Sequence, residues 1–170
     1  MLEFVGHIYW LILPAILGGV FNMIWVKAPV LKSLQKPIDG GKKLKDGKRV
    51  FGDNKTWKGF VGMIVFTAVF AQVFNVFPFL SGAWLGFAYV LAELPNSFIK
   101  RRLSIGAGKN GGVIQTFFDQ ADSAIGYALF LPIVYPAVWQ EIVGVIIIAT
   151  ITHYVINILL FYAKLKKQKG

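Results

Sequence analysis

The sequence has no cysteine, so a disulfide framework and a thiolate metal site are both excluded and the redox compartment is not readable. Histidine is nearly absent: only His7 and His153 occur. Charge is thin as well, with 15% charged residues and 8 acidic ones in 170. The first residues carry Glu3 but no Lys or Arg, so the basic n-region of a signal peptide is missing. The apolar run that follows is too long for an h-region, and no cleavage is expected. The Walker spacing GxxxxGK[ST] is absent, which excludes a P-loop NTPase. No internal repeat stands out. The odd number of apolar segments argues against a simple inverted-repeat transporter.

What is present is apolar sequence in long runs. The chain is 56% hydrophobic with a mean hydropathy of +0.61, and soluble domains are usually less apolar and more charged. The runs predict an all-α integral membrane protein in one domain, with about five transmembrane helices at 4–26, 59–77, 80–97, 119–136 and 141–162. Two polar connections, about 27–58 and 98–118, join them on one side. Pro14 and the Gly18-Gly19 pair suggest a kink or close packing in the first helix. His153 and Asn157 are four apart on the fifth, where a helix–helix hydrogen bond suits them better than a metal.

The basic residues give the orientation. Of 18 Lys and Arg, ten lie between Lys27 and Lys58, four between Lys100 and Lys109, and four between Lys164 and Lys169. With five helices between these segments all three share a side, and the positive-inside rule makes it cytoplasmic. The N-terminus is then outside, the C-terminus cytoplasmic, and the opposite face carries only Glu3 and Glu141. For any lysine taken alone, a plain orientation signal or a contact for anionic lipid is as good a reading as a functional role.

Chemistry concentrates in two stretches. The first loop contains KPIDGGKKLKDGKRVFGDNKTWKG, with turn signals at Asp46-Gly47 and Asp53-Asn54. Its clustered Gly, Lys and Thr suit either a phosphate cradle or a solvated basic loop on lipid headgroups. The second stretch runs from Glu93 to Ser123. Glu93 comes first, Pro95 interrupts the helix, and Lys100, Arg101 and Arg102 follow. If the helix persists past Pro95, Glu93, Ser97 and Lys100 share a face. Asp119 and Asp122, three apart, also share one. Two Asp, a neighbouring carboxylate and several cations can hold magnesium and a triphosphate. The plainer alternatives are a helix N-terminus that favours acids and an interfacial ion pair at Glu93.

The segment 37–59, PIDGGKKLKDGKRVFGDNKTWKG, resembles the first cytoplasmic loop of the CDP-archaeol synthase family. The stretch SFIKRRL at 97–103 and the DQxD at Asp119, Gln120 and Asp122 resemble that family too, in the same order. The family is related to CDP-diacylglycerol synthases. The resemblance implies a membrane nucleotidyltransferase of phospholipid biosynthesis that moves a cytidylyl group from CTP to a lipid phosphate, with magnesium as cofactor. It implies catalytic roles for Asp119, Asp122, Lys100 and Arg101. Asp119, Asp122 and Glu93 become the metal ligands. Substrate binding falls to Asp53, Lys55, Thr56, Arg102, Asp39 and Ser97. The implied partners are CTP, a lipid phosphate and the bilayer, with no nucleic acid; a homodimer is left open. The implied location is the cell membrane, with the site facing the cytoplasm. The chain departs from the family at Ala92-Glu93, where archaeal members usually read Gly-Asp, and at Pro95-Asn96. That departure leaves room for a bacterial-type offshoot acting on a lipid phosphate other than archaeol phosphate. Outside the resemblance, a small transporter and a non-catalytic polybasic adaptor remain the competing classes.

Overall fold

The computed structural model describes residues 1–109 and 111–165. Its regular elements are five α-helices: α1 Leu2–Lys27, α2 Trp57–Val73, α3 Phe79–Arg102, α4 Val113–Val134 and α5 Trp139–Tyr162. A short 3-10 turn, Lys32–Gln35, lies in the first loop. Among the described residues the only β pairing is two isolated bridges, Pro37 with Thr56 and Lys43 with Arg49. The remaining Lys166, Lys167 and Lys169 of the expected basic tail lie outside the described residues.

Each helix packs on the next in chain order, and α5 returns to α1, so the five close a ring. Small residues set the spacing. A Cβ added at Gly86 would fall 2.9 Å from the Ile64 Cα, and one at Gly126 would fall 2.3 Å from the Ala92 Cβ. Where lipid tails supply no hydrophobic drive, such close backbone approach is what lets helices hold together. Gly126→Val is expected to force α3 and α4 apart and cost about 1–3 kcal/mol or more. A lower melting temperature and loss of the monodisperse peak in detergent would show it. Tyr127 crosses the centre and donates 2.7 Å to the Leu11 carbonyl.

The outside of the ring is apolar while its inside carries polar groups. Ile147, Ile151, Val155 and Leu159 of α5 are exposed, as are Val61, Val65 and Val69 of α2 and Leu129 and Ile133 of α4. Buried within are Lys58, Thr67, Gln120, Ser123 and Asn157. A surface of this kind suits lipid rather than water. Two helices, α1 and α5, are by length and composition able to cross a membrane.

One end gathers the starts of α1 and α5 and the ends of α2 and α4. There His7 lies 2.7 Å from Glu141, and Tyr135 packs on both His7 and Phe77. Every Lys and Arg among the described residues lies at the opposite end or in its loops. Lys58, fully buried, closes α1 at that end. It donates to the Ala28 and Val30 carbonyls, both at 2.7 Å, beneath the Trp25 ring. A cation there answers the unpaired carbonyls and the negative pole of a helix C-terminus.

The two largest boundary differences from the sequence reading lie in α3 and α4. The third helix does not end at about residue 97 but continues through Pro95 to Arg102. Proline costs a helix one donor and crowds the carbonyl four residues back, yet its ring here faces an apolar groove and the next turns continue. The fourth helix starts at Val113, a turn and a half before the expected 119, because Gly112 takes a positive φ of 100° and turns the chain into it. The second loop therefore shrinks to 103–112.

Candidate active site

Because α3 runs unbroken past Pro95, Glu93, Asn96, Ser97 and Lys100 line one face of it. Asp119, Asp122 and Ser123 of α4 meet that face. Asn96 Nδ2 donates to one oxygen of each aspartate, 2.8 Å to Asp119 Oδ1 and 2.7 Å to Asp122 Oδ2. The Asn96 carbonyl accepts from Gln115 Nε2 at 2.6 Å, and that amide also reaches Asp119 Oδ1 at 3.3 Å. Lys100 pairs with the other oxygen of Asp119. Ser123 Oγ donates to Glu93 Oε1 at 3.0 Å and lies 3.1 Å from Asp122 Oδ1.

The first loop supplies the other wall. Lys55 pairs with Glu93 across 38 residues of sequence. Burial disfavours its charge, but the Glu93 carboxylate outweighs that and leaves the Lys55 pKa raised. Thr56 caps α2, its hydroxyl accepting from the Gly59 amide at 3.2 Å.

The loop is built around Asp39, whose carboxylate is 1% exposed. It accepts from Nε and Nη2 of Arg49 and from the amides of Gly41, Phe51 and Gly52, at 2.6 to 3.3 Å. Burial pushes its pKa up. Arg49 and those amides more than reverse this, so it falls well below the usual carboxylate range. A depressed pKa contributes stability that is complete above the ordinary value of 3.8 and is lost as pH falls below it. The stability gap between wild type and Asp39→Asn should therefore be constant above about pH 5 and shrink below about pH 4. Thermal melts across that range test this. A gap that stayed flat would remove Asp39 from its place as the loop's organiser.

The hairpin that follows is fastened to the end of α3. Arg102 pairs with Asp46 at 2.6 Å and donates to the Arg49 carbonyl, and Lys48 Nζ donates to the Arg102 carbonyl at 2.7 Å.

A cavity of about 500 Å³ lies between these walls. It brings together Lys55, Thr56, Glu93, Ser97, Lys100, Arg101, Asp119 and Asp122. Lys109 joins them from the second loop. Three expected residues stand apart. Asp39 holds the loop, Arg102 holds the hairpin, and Asp53 is 75% exposed and paired with Arg49. Arg101 differs from the paired Lys55 and Lys100. It is 7% exposed, has no carboxylate within ion-pair distance among the described residues, and its Nε has no partner.

The expected three-carboxylate metal set is not assembled: among the described residues no three acidic or imidazole groups close on one point. Glu93 is turned to Lys55 and Ser123. Asp119 and Asp122 do converge, each offering an oxygen to the same amide nitrogen. Two hard oxygens facing one point are suited to a magnesium ion, which takes one or two carboxylates and completes its shell from phosphate and water.

Asn96, Gln115 and Ser123 are the site residues that sequence reasoning missed. The DQADS run contained Ser123, and the departure at Pro95-Asn96 marked Asn96, but nothing in the order of residues tied Gln115 to either. His153 and Asn157 do make the expected helix–helix contact. Asn157 Nδ2 donates to Gln120 Oε1 at 2.5 Å, and His153 Nδ1 lies 3.2 Å from the Gln120 carbonyl.

Comparison with known proteins places this architecture. The family model for CarS-like CDP-archaeol synthases matches residues 1–169. The CDP-archaeol synthase of Pyrococcus abyssi is 32% identical over 168 residues, covering 93% of this chain and 94% of that one. The CDP-archaeol synthase of Thermococcus onnurineus is 37% identical over 110 residues, covering 59% of this chain and 61% of that relative. A solved structure described as an intramembrane enzyme for archaeal membrane lipids biosynthesis shares the fold. Its TM-score is 0.62 at 24% identity, over 88% of this chain and 92% of that one. The chain belongs to the CDP-archaeol synthase family.

Proposed function

We propose that this chain transfers a cytidylyl group from CTP to a membrane lipid phosphate, releasing pyrophosphate and a CDP-activated lipid. The observation that carries this reading is the cavity itself. Two convergent aspartates on α4 face lysines and a buried arginine that has no carboxylate partner among the described residues. An unpaired buried cation is costly, and a polyphosphate is the ligand that repays it.

The chemistry asks little of the protein beyond position and charge. An anionic oxygen of the lipid phosphate attacks the α-phosphorus of CTP. The bond from that phosphorus to the oxygen bridging the β-phosphate breaks, and its electron pair leaves with pyrophosphate. No proton has to be removed from the attacking group, so no general base is needed. Neither histidine is required for this: His7 lies at the far end and His153 bonds to α4. Arg101 grips the triphosphate with its planar fork. Lys100 and Lys55 lie near enough to share their charge between carboxylate and phosphate. Asp119 and Asp122 would hold magnesium, which when bound neutralises phosphate charge. The apolar side of the same cavity, lined by Ile12, Ile16, Val20 and Met23 of α1 and Ile156 and Leu160 of α5, receives the lipid from the bilayer. The basic end faces the cytoplasm, where CTP is found, by the positive-inside rule.

The test is purified protein with CTP, magnesium and a panel of lipid phosphates, ether- and ester-linked, scored by product mass. A CDP-lipid from at least one of them is expected. No nucleotide-bearing lipid from any of them would refute the reading.

A further inference from the structure

The Asn96–Gln115 pair is not explained by stability alone. Asn96 places its amide nitrogen where the two aspartates converge, 2.7 and 2.8 Å from them, and Gln115, itself buried, clamps the amide's other end at 2.6 Å. This orientation is forced. Ionised carboxylates only accept hydrogen bonds, so the NH2 must face them and the carbonyl must face Gln115. That arrangement holds the two acidic groups together without a cation, a job that would otherwise leave them repelling each other.

The same orientation is wrong for a loaded site, because an N–H dipole directed at a cation repels it. The remedy is local. The terminal torsion of an asparagine is broad and nearly two-fold, so its amide can turn over at low cost. Gln115 carries both a donor and an acceptor and can answer either face of Asn96.

We propose that Asn96 and Gln115 form an amide-flip pair. With no cation bound, Asn96 donates to Asp119 and Asp122. With a divalent cation bound, Asn96 turns its carbonyl oxygen toward the cation as a third protein oxygen, and Gln115 turns in step so that its own carbonyl accepts the Asn96 amide. This rests on the proposed cation role of Asp119 and Asp122. It supplies the third oxygen that Glu93, bound to Lys55, does not.

The experiment is equilibrium binding of Mn2+ to the full chain in detergent, read by electron spin resonance of free Mn2+, beside thermal melts without metal. Asn96→Leu should weaken Mn2+ binding about tenfold or more, and Gln115→Met should weaken it by a smaller factor within that range. Asn96→Asp offers the cation an oxygen but cannot donate to the aspartates. It should bind Mn2+ at least as tightly as wild type while melting lower in the absence of metal. A residue that only supported the fold would lower both together. Wild-type Mn2+ affinity in Asn96→Leu, or weakened affinity in Asn96→Asp, would overturn the flip. Wild-type Mn2+ affinity in Asp122→Asn would overturn the acidic site on which the flip rests.

Discussion

Asp122→Asn should abolish CDP-lipid formation, with turnover down by at least ~10³, while the protein still inserts and melts cooperatively. The size follows from losing several kcal/mol of charge stabilisation at the reacting phosphates, each 1.4 kcal/mol being about tenfold in rate. The fold should survive because the substitution keeps the shape of a side chain that lines a cavity. The new amide can also still accept from Asn96 through its carbonyl. The loss should appear in kcat as well as in kcat/KM, since the carboxylate acts on charge that is redistributed during transfer. A variant with near-normal turnover would remove Asp122 from the site.

Arg101→Met should move stability and binding in opposite directions. Arg101 is buried without an ion-pair partner among the described residues, so its charge is a burden on the protein before substrate arrives. Replacing it with an apolar side chain of similar length should raise the melting temperature of the unliganded protein by about 2–4 °C, the effect of ~1 kcal/mol in a domain of this size. CTP affinity should fall about 100-fold, the scale of losing a buried charge-assisted pair. Arg101→Lys should recover part of that binding, since a point charge lacks the planar fork. A residue that merely supported the fold would lose stability when replaced, so a drop in melting temperature would count against this account.

The all-helical class was legible from the grouping of apolar residues into long runs, because burial in lipid leaves little choice in composition. The aspartate pair was legible because three-residue spacing on a helix is itself a geometric statement. The wiring was not. Pro95 followed by Asn96 reads locally as the end of a helix, and only packing against α4 shows the helix continuing. That continuation is what delivers Asn96 to Asp119 and Asp122. The Lys55–Glu93 pair joins groups 38 residues apart, and no local pattern encodes such a contact. Arg102 sits in a run of three basic residues that looks uniform. One helical step of about 100° turns it from the cavity that Arg101 lines to the hairpin at Asp46 and Arg49. Asp39 resembles a ligand in sequence because a buried carboxylate in a Gly-rich loop has two uses, and here it gathers the loop's own amides.

The proposed reaction breaks CTP between its α- and β-phosphates in the cation-rich cavity and hands the α-phosphorus to a lipid. The direct measurement compares CTP labelled at the α-phosphate with CTP labelled at the γ-phosphate, each given to the purified protein with magnesium and a lipid phosphate. The α label should move into the lipid fraction and the γ label should appear in pyrophosphate, in equal amounts. Label from the γ position in the lipid, or inorganic phosphate released without any labelled lipid, would contradict it.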